Sequence, residues 1–200
     1  MANKKFAVGC LVVVLVVALI AAVYVTGVDN SLVGLDQKVQ AQWGQVENTD
    51  QRRADLIPNL VETVKGAAAF EQDTFTAVTE ARAKVGQVQV NAGQLTPEAL
   101  SQFQAAQDGL SSALSRLLVV VEKYPELKAT EAFRELQAQL EGTENRITQE
   151  RMRFNEAAQA FNTKRNRFPA TIVAGFFGKF AEKPYFKAQA GAETAPKVKF

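Results

Sequence analysis

The pattern of apolar positions divides the chain in two. Residues 6–28 are 23 positions without a charge, almost wholly Val, Leu, Ile and Ala at their centre. As a helix they span about 34 Å, against about 30 Å for the hydrocarbon core of a bilayer. This stretch is predicted to be a transmembrane helix. From Ser31 onward the apolar residues recur every three or four positions: Leu32, Leu35, Val39, Trp43, Val46, Leu56, Ile57, Leu60, Val64, Ala67 and Ala68. That is a helical stripe, not the period of two that a strand requires. Asp29, Asn30 and Ser31 could cap this helix, or it continues out of the span. Pro58 lies inside the stripe. It is expected to kink or break the helix near Ile57, because it lacks an N–H and its ring meets the preceding turn.

The stripe resumes through Phe75, Val78 and Val85, and residues 86–95, with Gly86, Asn91 and Gly93, read as a loop. Thr96-Pro97-Glu98-Ala99 predicts a helix start: a capping hydroxyl, proline at the first helical position, acid in the first turn. Leu100, Phe103, Ala106, Leu110, Leu114, Leu117 and Val121 continue that helix, and Tyr124-Pro125 stops it. A further helix is predicted over residues 129–168, with Phe133, Leu136, Leu140, Ile147, Phe154, Ala158, Phe161 and Phe168 at the spacing of an antiparallel bundle or coiled coil. The expected fold class is therefore all-α. An antiparallel bundle of long helices over residues 29–186 follows a transmembrane anchor at 6–28, with 1–5 a cytoplasmic N-terminus and 187–200 a mobile tail.

The segment after Pro169 has a different texture. Phe176, Phe177, Phe180, Tyr185 and Phe186 crowd among Gly175, Gly178 and Pro184. Aromatics at that density are costly in water. Either they dock on the bundle, or they contact the membrane interface with help from Lys179, Lys183 and Lys187.

Charge sets the expected orientation. Lys4 and Lys5 precede the span, and the nearest basic residue after it is Lys38. The positive-inside rule then predicts a cytoplasmic N-terminus and an external bundle on a bacterial inner membrane. A cleaved signal peptide fits less well, because the apolar run is long and Val25-Thr26-Gly27 departs from a small-x-small site. Ala7-Val8-Gly9-Cys10 faintly resembles a lipoprotein box, but the apolar run follows Cys10 instead of preceding it. After Asp29 basic and acidic residues balance at 21 each, counting Asp29. Nucleic acid is therefore not an expected partner.

Composition removes most chemistry. The chain has no histidine and a single cysteine, Cys10. Ser-His-Asp and Cys-His nucleophile systems, histidine-ligated metals, cysteine-cage zinc and an intrachain disulfide are excluded. A di-iron bundle would need Glu-x-x-His pairs. No phosphate-cradling glycine loop appears. No catalytic residue, cofactor or metal is expected. The remaining candidates are polar residues on the apolar stripes: Asp50 and Arg53, with Asp55 and Asn59 close by, and Thr143, Glu144 and Arg151, with Asn145 and Arg146 adjacent. Buried charges must be paired. If the two helices are neighbours, Arg53 could meet Glu144, and Asp50 or Asp55 could meet Arg146 or Arg151. Such residues make either a register-setting polar layer or a ligand-binding cluster.

The same residues carry a family resemblance. Gln51-Arg52-Arg53-Ala54-Asp55-Leu56-Ile57-Pro58-Asn59-Leu60-Val61-Glu62-Thr63-Val64-Lys65-Gly66 resembles the signature of the LemA family. So do Leu114-Ser115-Arg116-Leu117-Leu118, Tyr124-Pro125-Glu126-Leu127-Lys128 and Leu140-Glu141-Gly142-Thr143-Glu144-Asn145-Arg146-Ile147. Phe154-Asn155-Glu156-Ala157, Phe161-Asn162-Thr163, Arg167-Phe168-Pro169 and Pro184-Tyr185-Phe186 complete a match over residues 30–186. One departure is Gly66-Ala67-Ala68-Ala69-Phe70-Glu71, where the family often has a tyrosine and a histidine. The resemblance implies an N-terminal membrane anchor and an all-helical antiparallel bundle, and supplies no activity. The expected function is a single-pass membrane protein whose bundle makes protein contacts, a homo-oligomer being compatible. The alternatives are an enzyme or small-ligand receptor using the polar cluster, and a lipid-contacting or membrane-remodelling protein using the C-terminal aromatics.

Overall fold

A computed structural model describes residues 2–65 and 72–187, with side chains from residue 8 onward except that of Phe177. The expectations for Ala67, Ala68, the departure at 66–71 and the tail beyond Lys187 fall outside the described residues. Six helices occur among those described: α1 (Ala2–Lys65), α2 (Gln72–Gln87), α3 (Pro97–Val121), α4 (Pro125–Lys128), α5 (Glu131–Asn166) and α6 (Ala170–Phe177). A 3-10 turn at Ala92–Gln94 precedes α3, and no strand appears among the described residues. The protein is all-α, and α1 contains one stretch long and apolar enough to cross a membrane.

Local signals act largely as their chemistry dictates. The Thr96 hydroxyl accepts from the Ala99 N–H at 3.1 Å, capping α3 one residue before Pro97. Asn91 caps the 3-10 turn by accepting from the Gly93 N–H at 2.9 Å. Gly178, at φ 64°, closes α6 in the left-handed conformation that only glycine adopts without cost.

Of the two alternatives at Asp29, Asn30 and Ser31, the structure takes the second: α1 runs unbroken out of the apolar stretch. One local expectation is corrected: Pro58 does not end α1. Its missing N–H would leave the Ala54 carbonyl without its helical partner. Arg82 of α2 supplies the donor instead, its Nε reaching the Ala54 oxygen at 2.9 Å.

The chain divides into two compact units, and α1 and α5 contribute to both. The first comprises residues 1–39 and 157–183. Val28, Leu32, Val39, Ala158, Phe161, Ala170, Val173, Ala174 and Phe180 are buried in it. Residues 179–183 lie along α1, with Lys179 on Asp29 at 2.7 Å and Lys183 on Asp36 at 2.5 Å. Asn162 of α5 holds this segment by both backbone groups of Lys183, donating to its carbonyl at 2.8 Å and accepting from its N–H at 2.9 Å.

The second unit comprises residues 40–156 and 184–200. Here α1, α2, α3 and α5 alternate in direction around a core of Ile57, Leu60, Val64, Phe75, Val78, Leu110, Leu114, Leu117, Leu127, Phe133 and Leu140. A second cluster is aromatic. Trp43, fully buried, meets Phe103 at 5.0 Å, Phe154 at 5.8 Å and Phe186 at 6.1 Å between ring centroids. Asn155 repeats the clamp of Asn162: it donates to the Phe186 carbonyl at 3.1 Å and accepts from its N–H at 2.9 Å. The Phe-Asn pairs of the sequence motifs thus have one job each: the ring packs inward and the amide grips a passing backbone.

Candidate functional site

Polar residues on three apolar stripes meet inside the second unit. Arg53, only 1% exposed, sits at their centre. Its Nη1 donates to Glu144 Oε1 at 2.7 Å and to the Ser111 hydroxyl at 2.9 Å. Its Nη2 donates to the Gln107 side-chain oxygen and to Asp50 Oδ1 at 3.3 Å. Arg151 Nη2 approaches the same Asp50 oxygen at 3.9 Å. One guanidinium therefore ties α1 to α3 and α5, which its planar fork of donors suits.

The expected pairings are partly realised. Arg53 meets Glu144, and Asp50 meets Arg151. Arg146 does not reach an aspartate; it lies 4.0 Å from Glu150 on its own helix. Asp55 is exposed and accepts from Gln51 at 2.8 Å, one turn away. Asn59 and Asn145 are exposed. These four stand one or two positions off the buried line, and on a helix that rotates them to the outer face. Gln107 and Ser111 were missed. Gln107 was the legible one, lying four residues after Phe103 and three before Leu110, in register with the α3 stripe.

Most polar atoms of the cluster bond to one another, but Asp50 Oδ2, Arg53 Nε and Arg151 Nε are buried without a hydrogen-bond partner among the described residues. Asp50 and Gln107 form part of the wall of a cavity of about 540 Å³, with Glu47, Gln51, Arg82 and Phe103. Arg146 lines a different cavity with Thr143, and Glu144 and Asn145 line a third. The eight candidates do not converge on one binding space. Among the described residues no group of three or more metal-ligating side chains occurs.

Burial shapes the acids of this region. Desolvation raises the Glu47 carboxyl. It pushes Asp50 up to about 6, against the pull of Arg53 and then Arg151, with Glu144 adding to the rise. In the unfolded chain Asp50 titrates near its ordinary value of 3.8. Between those values the folded protein holds the extra proton, so stability falls as pH rises through about 4 to 6. We expect Asp50→Asn to flatten that part of the stability–pH curve, a difference of about 3 kcal/mol between its ends. Unfolding of both proteins at pH 4 and pH 7 measures it. An unchanged slope in the variant would mean that Asp50 does not titrate there.

The C-terminal aromatics are split by the fold. Phe180 and Phe186 are buried, the first against Phe161 and the second against Trp43 and Phe154. Neither can reach lipid while packed in this way. Tyr185 is 41% exposed and Phe176 86% exposed. The Phe177 side chain falls outside the described residues.

The chain is similar in sequence to several known proteins. A family model described as the LemA family matches residues 42–200. Magnetosome protein MamQ 2 of Paramagnetospirillum magneticum is 27% identical over 184 residues, covering 82% of this chain and 66% of that protein. Magnetosome protein MamQ of Magnetospirillum gryphiswaldense is 26% identical, with the same coverage. Protein LemA of Metamycoplasma hominis is 25% identical over 162 residues, covering 80% of this chain and 69% of its own. The chain thus spans just under two thirds of the length of the MamQ proteins. With the family model matching most of its length, the helical chain built around Arg53 belongs to the LemA family.

Proposed function

We propose that this protein is a membrane-anchored, non-catalytic helical scaffold. Its N-terminus lies in the cytoplasm, residues 6–28 cross the inner membrane, and the helical units stand outside, offering helix faces to a protein partner. One observation supports the reading: the buried guanidinium of Arg53 is spent on side chains of the protein itself, bonding to four of them and so joining α1 to α3 and α5. A catalytic acid or base needs a route to substrate, and Arg53 and Glu144 are committed to each other. Proteins of similar sequence are named for a cellular structure, the magnetosome, and not for a reaction, which supports the scaffold reading.

The test uses the full chain in its membrane. Protein carrying a tag after Phe200 is expected to stay with the membrane on alkaline extraction. In spheroplasts its units should be cut by added protease while the N-terminus is spared. Cross-linking in the membrane should give one recurrent adduct with another protein. Protection of the helical units would reverse the orientation. Absence of any adduct, across reagents that link known membrane complexes in the same cells, would remove the scaffold reading.

A further inference from the structure

The packed core of the first unit begins where the apolar stretch ends. Val8 to Tyr24 are exposed along α1, and Val28 and Leu32, one and two turns on, are fully packed. Asp29 lies about 6 Å beyond Val25 along the helix. The polar layer of a bilayer extends about 5–8 Å on each side of the hydrocarbon. No stalk separates this unit from the lipid surface, and whatever sits at the level of Asp29 sits among headgroups.

Both ends of α6 are held at that level. Past its C-terminus, Lys179 pairs with Asp29. Before its N-terminus, α5 runs antiparallel to α1, with Asn162 and Asp36 meeting the same residue, Lys183. Asn166, which ends α5 four residues beyond Asn162, is about 6 Å nearer the span, and Phe168 follows it. Asp29, seven residues before Asp36, is about 10 Å nearer the span. The eight-residue α6 therefore lies across the end of the unit. Its inner face, Ala170, Val173 and Ala174, is buried. Its outer face is equally apolar: Phe168 is 81% exposed, Ile172 61% and Phe176 86%. Water makes such a face costly. Arg167, exposed, flanks it with the charge that anionic headgroups attract.

We propose that α6 is an interfacial helix, lying in the headgroup layer of the membrane that α1 crosses, with Phe168, Ile172 and Phe176 inserted at the acyl boundary. The occupant of this face is lipid. The inference rests on the anchor reading, and differs from the aromatic contact expected from sequence: Phe180 and Phe186 serve the protein core, while Phe168 and Ile172 face outward.

Single-cysteine versions of the full chain test this in a Cys10→Ser background. Ile172→Cys, Leu15→Cys and Ala160→Cys are each labelled with nitrobenzoxadiazole and reconstituted in phosphatidylethanolamine–phosphatidylglycerol vesicles. The Ile172 label is expected to emit to the blue of the Ala160 label. It should lose most of its intensity to lipids carrying a nitroxide near the headgroup, and resist aqueous iodide. A Leu15 label that is also shielded by lipid confirms the anchor independently. If Leu15 is embedded but the Ile172 label matches Ala160 in colour and iodide quenching, the interfacial helix is wrong and the anchor stands. If the Ile172 label is blue-shifted yet untouched by nitroxide lipid, a second protein surface covers α6, which also overturns the proposal. If Leu15 itself is open to iodide, the anchor reading fails first.

Discussion

Replacing Arg53 with leucine is expected to destabilise the protein by about 3–5 kcal/mol, the usual cost of removing one member of a buried ionic group. The loss comes mainly from what is left behind. Asp50 is 2% exposed and Gln107 1% exposed, so each loses its main partner at a site where little of its own surface reaches water. Glu144, about half exposed, can rehydrate and contributes less. Arg53→Lys should recover little, because a single ammonium cannot reach Ser111 and Glu144 on one side and Asp50 and Gln107 on the other. Changing Arg53, Asp50 and Gln107 together to apolar residues of similar size should recover much of the loss. Trp43, the protein's one tryptophan, reports unfolding from inside the same unit. Urea titration of the full chain in micelles, followed by its fluorescence, provides the comparison. A loss below about 1 kcal/mol, the scale of an exposed ion pair, would show that Arg53 does not join the helices.

The second large effect belongs to Trp43 itself. Trp43→Ala should cost about 3–5 kcal/mol, since it empties a fully enclosed site and removes ring contacts with three phenylalanines. It should also loosen residues 184–187. Phe186 loses its stacked neighbour, which leaves the segment held by Asn155, by the rings of Phe154 at 5.3 Å and Phe103 at 6.5 Å, by Arg151 over the Phe186 ring at 5.1 Å, and by Gln104 donating to the Lys187 carbonyl at 2.9 Å. Proteolysis should therefore cut near Tyr185 sooner in the variant, while Trp43→Phe should protect most of the segment. Thermal unfolding followed by circular dichroism measures the stability, because the variant lacks the tryptophan reporter. Equal cutting in Trp43→Ala and the parent protein would mean that the segment is held without Trp43, by its backbone bonds and the other contacts of Phe186.

These two sites differ in how far the sequence discloses them. Arg53 and Asp50 interrupt an apolar stripe, and that interruption alone marks them as buried and in need of partners. Gln107 carries the same signal on α3. Asp55, Asn59, Asn145 and Arg146 share the motif but not the register, and the helix turns them outward. The C-terminal aromatics show the opposite limit. Phe176 and Phe180 lie in one short apolar segment, yet one is exposed and the other enclosed. The dividing event is the left-handed Gly178 and the clamp of Lys183 by Asn162, and neither follows from hydrophobicity. Pro58 is similar: its local rule is correct for an isolated helix, and a donor from another helix, Arg82, removes the need for a break.

The sequence by itself determined the all-helical class, the apolar N-terminal stretch, the α3 cap and the need of Arg53 for a buried partner. The first three are written in periodicity or in chemistry acting within a few residues; for Arg53 the interrupted stripe declares only the need for a partner, and the packing of α5 against α1 supplies Glu144. The tertiary structure decided that Pro58 is spanned, that Asn155 and Asn162 grip a returning segment, and which aromatics face the core. Those outcomes depend on donors and surfaces brought from remote parts of the chain, and only packing determines which of them arrive.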